Sequence, residues 1–116
     1  MRAELKRLHS PDVDNLSTFV PPVHNSFCFL LQAMIGPKDE VGEESFDIQV
    51  CTAKWLIEHH HPGTILLGRH YLITFEYNYE HLVKFISTFC LGVSGETWRD
   101  LAESLGQLGK WEFEGY

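Results

Sequence analysis

Sulfur is scarce in this chain, and what there is carries no cross-linking pattern. Cys28, Cys51 and Cys90 show no C-x-x-C spacing, are odd in number and sit among apolar neighbours. Reduced, buried thiols are expected, not a disulfide framework. Long apolar runs are missing too: no stretch approaches the ~20 residues that span a bilayer. No basic segment followed by an apolar one opens the sequence, so the expected compartment is cytoplasmic. Basic residues are few, 9 Lys plus Arg against 16 Asp plus Glu, for a net charge of −7 with neutral His. That field repels polyphosphate and disfavours nucleic acid, while it speeds encounter with a basic protein; acidity that serves solubility alone fits equally. Catalytic signatures are absent as well: there is no G-x-S-x-G, H-E-x-x-H, P-loop or G-x-G-x-x-G.

What is present is enough apolar material for one core. With 116 residues, 44% of them hydrophobic and 13% aromatic, the chain is expected to fold as a single domain over 1–116. Met1, Ala3 and Leu5 alternate with Arg2, Glu4 and Lys6, which predicts a half-buried strand over about 2–9. The stretch 10–25, with Pro11, Pro21, Pro22, Asp12, Asp14 and Asn15, reads as an irregular connection. Residues 26–35 are nearly all apolar and stop at Gly36-Pro37, predicting a central strand buried on both faces, with a short helix as the alternative.

Lys38 to Ser45 reads as a solvated, strongly negative hairpin loop leading into a strand over 46–51. Thr52 is placed to N-cap a two-turn helix through His60, with Trp55 and Leu56 inward and Pro62-Gly63 as its stop. A strand over about 69–76 follows, then a helix capped by Asn78 whose apolar stripe is Leu82, Phe85, Ile86 and Phe89. Thr97 and Asp100 form a capping-box-like start to a last helix with Trp98, Leu101, Leu105 and Leu108 inward. Gly109 is read as its left-handed stop, and Trp111 to Glu114 as a final strand, so that the run 97–116 ends in ordered structure. This order predicts an α+β fold: a mainly antiparallel sheet of about five strands with two or three helices packed on one face.

His59-His60-His61 is the most tempting catalytic or metal-binding feature, and a small metal-binding or enzymatic domain built on it is the competing reading. Consecutive helical positions point about 100° apart, so three neighbours do not close on one tetrahedral ion. A solvated helix end, whose partial negative charge suits imidazole, accounts for them. His70 and His81 flank a strand-to-helix corner and carry no acid/base mark. Gly92-Val93-Ser94-Gly95 is a weak phosphate cradle, with Glu96 set to repel the anion. No catalytic residue, metal ligand or cofactor site is assigned.

Carboxylates remain. Asp39, Glu40, Glu43 and Glu44 form one cluster, and Glu112 and Glu114 alternate with Trp111 and Phe113. As a partner surface, such side chains mimic phosphates in a cationic cleft; a charged loop or edge is the other reading. A second candidate patch is Glu76, Tyr77, Tyr79 and Glu80, rigid aromatics mixed with charge as interfaces favour. These eight residues, Asp39 to Glu44 and Glu76 to Glu80, are the candidate partner-binding set.

Ile35-Gly36-Pro37, the acidic loop, Phe46-Asp47-Ile48-Gln49-Val50-Cys51-Thr52-Ala53-Lys54-Trp55-Leu56, Gly68-Arg69-His70-Tyr71-Leu72-Ile73, Gly95-Glu96-Thr97-Trp98 and Trp111-Glu112-Phe113-Glu114 together resemble the immunity protein 8 family. The resemblance runs from about residue 26 onward. It implies a non-enzymatic immunity protein of bacterial contact-dependent inhibition and polymorphic toxin systems, one that binds a cognate toxin domain, often a nuclease, in the cytoplasm. Trp55, Trp98 and Trp111 match family positions, and their periodicity points them into the fold. No binding residue follows from the resemblance.

Overall fold

The computed structural model describes residues 1–115; Tyr116, the last residue of the C-terminal run, lies outside them. In chain order the elements are β1 (Ala3–His9), β2 (Cys28–Pro37), β3 (Glu44–Thr52), α1 (Ala53–His59), β4 (Tyr71–Thr74), α2 (Tyr79–Gly92), α3 (Trp98–Leu105) and β5 (Lys110–Trp111). The fold is α+β as expected. The sheet is mixed: β1, β2 and β3 are antiparallel neighbours, β4 joins β3 in parallel, and β5 pairs antiparallel with the start of β3. The parallel pair arises because α1 and the following loop carry the chain back across the sheet before β4 begins.

Register shows which face is the core. Phe29, Leu31 and Ala33 oppose Val50, Ile48 and Phe46, and all six are buried. The intervening β2 residues, Cys28, Leu30, Gln32 and Met34, are only half-buried. β2 is therefore buried on one face and not on both. Helices cover a single side: Leu82, Ile86 and Cys90 of α2 and Leu101, Ala102 and Leu105 of α3 all join the same core cluster. An apolar run without alternation reads as doubly buried even where one face meets only partial cover.

β1 carries a bulge. Its register with β2 slips between Leu5 and Arg7, which leaves Lys6 as the extra residue. Ala3 and Leu5 oppose Pro37 and Ile35 before the slip, and Leu8 opposes Ala33 after it. The bulge thus turns an odd-numbered apolar phase into an even-numbered one without turning the strand over. The connection over 10–25 is irregular as expected, yet Val13 and Leu16 are buried in the core and Phe19 packs against it.

The capping signals hold. Thr52 accepts from Trp55 N, Asn78 from His81 N, and Thr97 with Asp100 closes a full capping box. Other local expectations are corrected. α1 has no buried residue, and Trp55 and Leu56 are half-buried, because the helix sits at the end of the sheet and not over it. β4 is confined to 71–74, since His70 adopts a left-handed φ of 71° and turns the chain. The buried stripe of α2 is Leu82, Ile86 and Cys90, and Phe85 is exposed.

α3 stops at Gly106, which has a right-handed φ of −60°, so Gly109 is not its left-handed stop. A Cβ on Gly109 would lie 2.9 Å from Ile48 Cγ1 and 3.1 Å from Asp47 O. That glycine lets the chain run hard against β3 so that β5 can pair there. β5 is only Lys110–Trp111; Glu112 N still donates to Ser45 O at 3.1 Å, and residues 112–115 form a turn. The alternation continues in sequence past Glu112, the last residue to bond the β3 backbone.

Candidate functional site

The acidic loop divides into a free tip and a structural base. Asp39 (φ 64°) and Gly42 (φ 115°) take left-handed conformations to reverse the chain, and Asp39 and Glu40 are exposed at the tip. The loop folds back so closely that a Cβ on Gly36 would lie 1.9 Å from Gly42 O. Glu43 Oε1 accepts from Arg7 Nε at 2.7 Å. Glu44 opens β3, and its Oε1 accepts hydrogen bonds from both Trp98 Nε1 and Trp111 Nε1, the latter at 3.0 Å. Two indole donors from the C-terminal part of the chain therefore converge on one carboxylate.

The C-terminal acids are also engaged. Glu112 Oε1 accepts from Ser45 N at 2.9 Å, and Glu114 pairs with Arg69. These contacts clamp residues 112–114 to the start of β3 and to the loop before β4. Neither is left as part of a free carboxylate pair.

At the second candidate patch the residues separate. Tyr77 sits in an aromatic cluster with Phe19, Phe27 and Phe29 at centroid distances of 5.1, 6.1 and 5.8 Å. Its hydroxyl donates to Leu16 O, and burial pushes its pKa up to about 12. Tyr79 is half-buried beside the 10–25 connection. Glu76 and Glu80 are exposed, Glu76 lying 3.6 Å from His24 Nε2.

Next to Glu76 lies a feature that residue types alone did not single out. A groove of about 440 Å³ runs between β4 and α2. Val50 and Leu82 form its floor, and Ile73 (51% exposed), Phe75 (76%) and Phe85 (53%) stand on its walls. It continues along α2 as a second hollow bounded by Phe85, Phe89 and Lys84. Contiguous exposed aromatic and aliphatic surface with a charged rim is the kind that partners cover. The available sequence signal was the exposed flank of the α2 stripe, visible only once the true buried stripe is known.

The histidines do not converge. His59 and His60 donate through Nδ1 to Trp55 O and Leu56 O, while His61 Nδ1 accepts from Gly63 N. His70 Nε2 donates to Gly106 O at 2.9 Å, and His81 lines the groove. Among the described residues no three His, Cys, Asp or Glu side chains are placed to hold a metal ion. The amides of Glu96 and Thr97 both donate to Asp100 Oδ2 at 3.2 Å, so the glycine turn before α3 offers its amides to its own cap. No helix among the described residues is long and apolar enough to cross a membrane.

Cys28 and Cys51 oppose one another across β2 and β3. Desolvation raises the Cys28 thiol and lifts Cys51 to about 12 and Cys90 to about 11. A thiol with a raised folded pKa stabilises the fold fully below its unfolded value, and that contribution is lost as pH climbs toward the folded value. Stability is thus expected to fall between about pH 9 and 12, measured by urea unfolding across that range, with a shallower fall in Cys51→Ala. At pH 8 an aromatic disulfide reagent should titrate Cys51 and Cys90 only after denaturant is added.

Fold and surface together define a class: a small α+β domain with an acidic exterior and an apolar groove at the free edge of its sheet. The family model for Immunity protein 8 matches residues 3–116, and the chain belongs to that family. Membership implies an immunity protein directed against a toxin. No curated protein and no solved structure is significantly similar to the chain.

Proposed function

We propose that the protein neutralises one cognate bacterial toxin domain in the cytoplasm, by binding it directly and blocking its active site or its access to substrate. The carrying observation is the family match over 3–116. The net charge of −7 favours a basic target, and a nuclease, whose cleft is built for phosphate, is the toxin class that fits. The inhibitor acts without turnover, cofactor or direct contact with nucleic acid, and its activity is that of a shaped, charged surface. Co-expression with the toxin domain encoded immediately upstream should restore growth; undiminished killing by that toxin rules the reading out.

Among the candidate acids, Asp39 and Glu40 are the ones whose side chains stand free at the loop tip; Glu76 and Tyr77 are the candidates that line the groove. The double substitution Asp39→Lys with Glu40→Lys is expected to slow association several-fold at low salt, with the difference shrinking as ionic strength rises. Stopped-flow binding at two salt concentrations measures it. An unchanged rate at low salt removes the tip from the encounter surface.

A further inference from the structure

We infer that the free edge of β4 is where the toxin docks, through an extended segment that adds a strand to the sheet and sets apolar side chains into the groove against α2. This rests on the toxin-binding reading above and specifies its surface and geometry. Among the described residues β4 has a sheet neighbour, β3, on one side and none on the other. Gln49 N donates to His70 O at 2.8 Å, and Gln49 is in register with Tyr71. In a parallel ladder the bonds of one residue go to the two residues flanking its partner. His70, Leu72 and Thr74 therefore spend their backbone groups on β3, and the amide and carbonyl of Ile73 point outward.

Directly beside that backbone edge stand Phe75 and Phe85, each more than half exposed, over the buried Leu82. Main-chain pairing supplies affinity, and pockets for alternate side chains supply selection. Charge sets the occupant's flanks. Glu76 lines the groove, Lys84 stands on the adjoining hollow, and the whole molecule carries −7, so the incoming segment is apolar at alternate positions and carries Lys or Arg where it passes Glu76. A second copy of this chain would bring the same net negative charge and a second Glu76 to the same edge, and is disfavoured by that repulsion.

The edge itself is held rigid from behind. The left-handed turn at His70 is pinned by its ring donating to Gly106 O, and Arg69 Nη2 donates to the same carbonyl at 3.2 Å. A pre-positioned edge loses little freedom when a strand is added.

The test uses the intact protein and the toxin domain encoded upstream. Ile73→Pro removes an outward amide while leaving every bond to β3 in place, and Phe85→Glu puts a charge on the groove wall. Thermal unfolding verifies that both variants are folded, and amide exchange of the wild-type complex provides a readout that needs no substitution. Expected are an affinity loss of about 100-fold for each variant, the scale of an interface hot spot, and slowed exchange at Ile73 on complex formation. If wild type binds while both variants bind equally well and Ile73 exchange is unchanged, the edge is not the dock. If wild type alone is a dimer with Ile73 protected, a second copy holds the edge and the inference fails. If wild type does not bind the toxin domain at all, the underlying reading falls and this inference with it.

Discussion

Glu44→Ala is expected to destabilise the protein by about 2–6 kcal/mol, the range for stranding two poorly solvated donors at about 1–3 kcal/mol each. The carboxylate lies 54 residues from Trp98 and 67 from Trp111 in sequence. It ties the start of β3 to α3 and to β5 as the acceptor that the two indoles share. Glu44→Gln keeps one acceptor oxygen of the same shape and should lose less than half as much. Urea unfolding followed by tryptophan fluorescence reads both, and the indole emission should shift to the red in the alanine variant before unfolding. An alanine variant as stable as wild type would show that the two indoles find water, and that Glu44 is a surface acid after all. Charge reversals intended to probe toxin binding therefore belong at the loop tip, at Glu40 and at Asp39, where the left-handed φ of 64° requires that the stability of the lysine variant be measured beside its binding.

Tyr77→Ala should have the second large effect, about 2–4 kcal/mol, somewhat below the value for fully buried aromatics cut to alanine because the ring is half-buried against the core. Its ring is the common neighbour of Phe19, Phe27 and Phe29, so truncation leaves a cavity shared by the 10–25 connection, β2 and the corner before α2. Tyr77→Phe keeps the ring and removes only the hydroxyl that donates to Leu16 O, for an expected loss of about 1 kcal/mol. The pair separates two roles. A packing anchor loses stability in the alanine variant and retains toxin affinity in the phenylalanine variant. A toxin contact made through the hydroxyl would show the reverse, with affinity falling in Tyr77→Phe and stability little changed.

Local signals were legible in the sequence where they were self-contained. Thr52, Asn78 and the Thr97–Asp100 box each satisfy a helix end within four residues, so neighbouring letters suffice to find them. Strand faces were legible only up to the first irregularity: Ala3 and Leu5 lie where alternation puts them, while Leu8 needs the bulge. The role of Glu44 was not readable, because an acid among acids looks solvated until two distant indoles arrive. Phe85 has the spacing of a core residue, at i+3 of Leu82, yet the sheet accepts the i+4 row Leu82, Ile86 and Cys90 instead. The groove depends on that choice together with the position of β4, and neither is encoded within one element.

The bulge at Lys6 has a consequence on the opposite side of the molecule. Slipped strands twist away and make poor templates, and the N-terminal border is further occupied where Arg2 bridges to Ser94. End-to-end growth into fibrils requires two adhesive borders per subunit, one to give and one to receive. Among the described residues β4 offers a regular border and β1 a bulged one, so a strand that attaches at β4 finds no equal border on β1 from which to extend the stack.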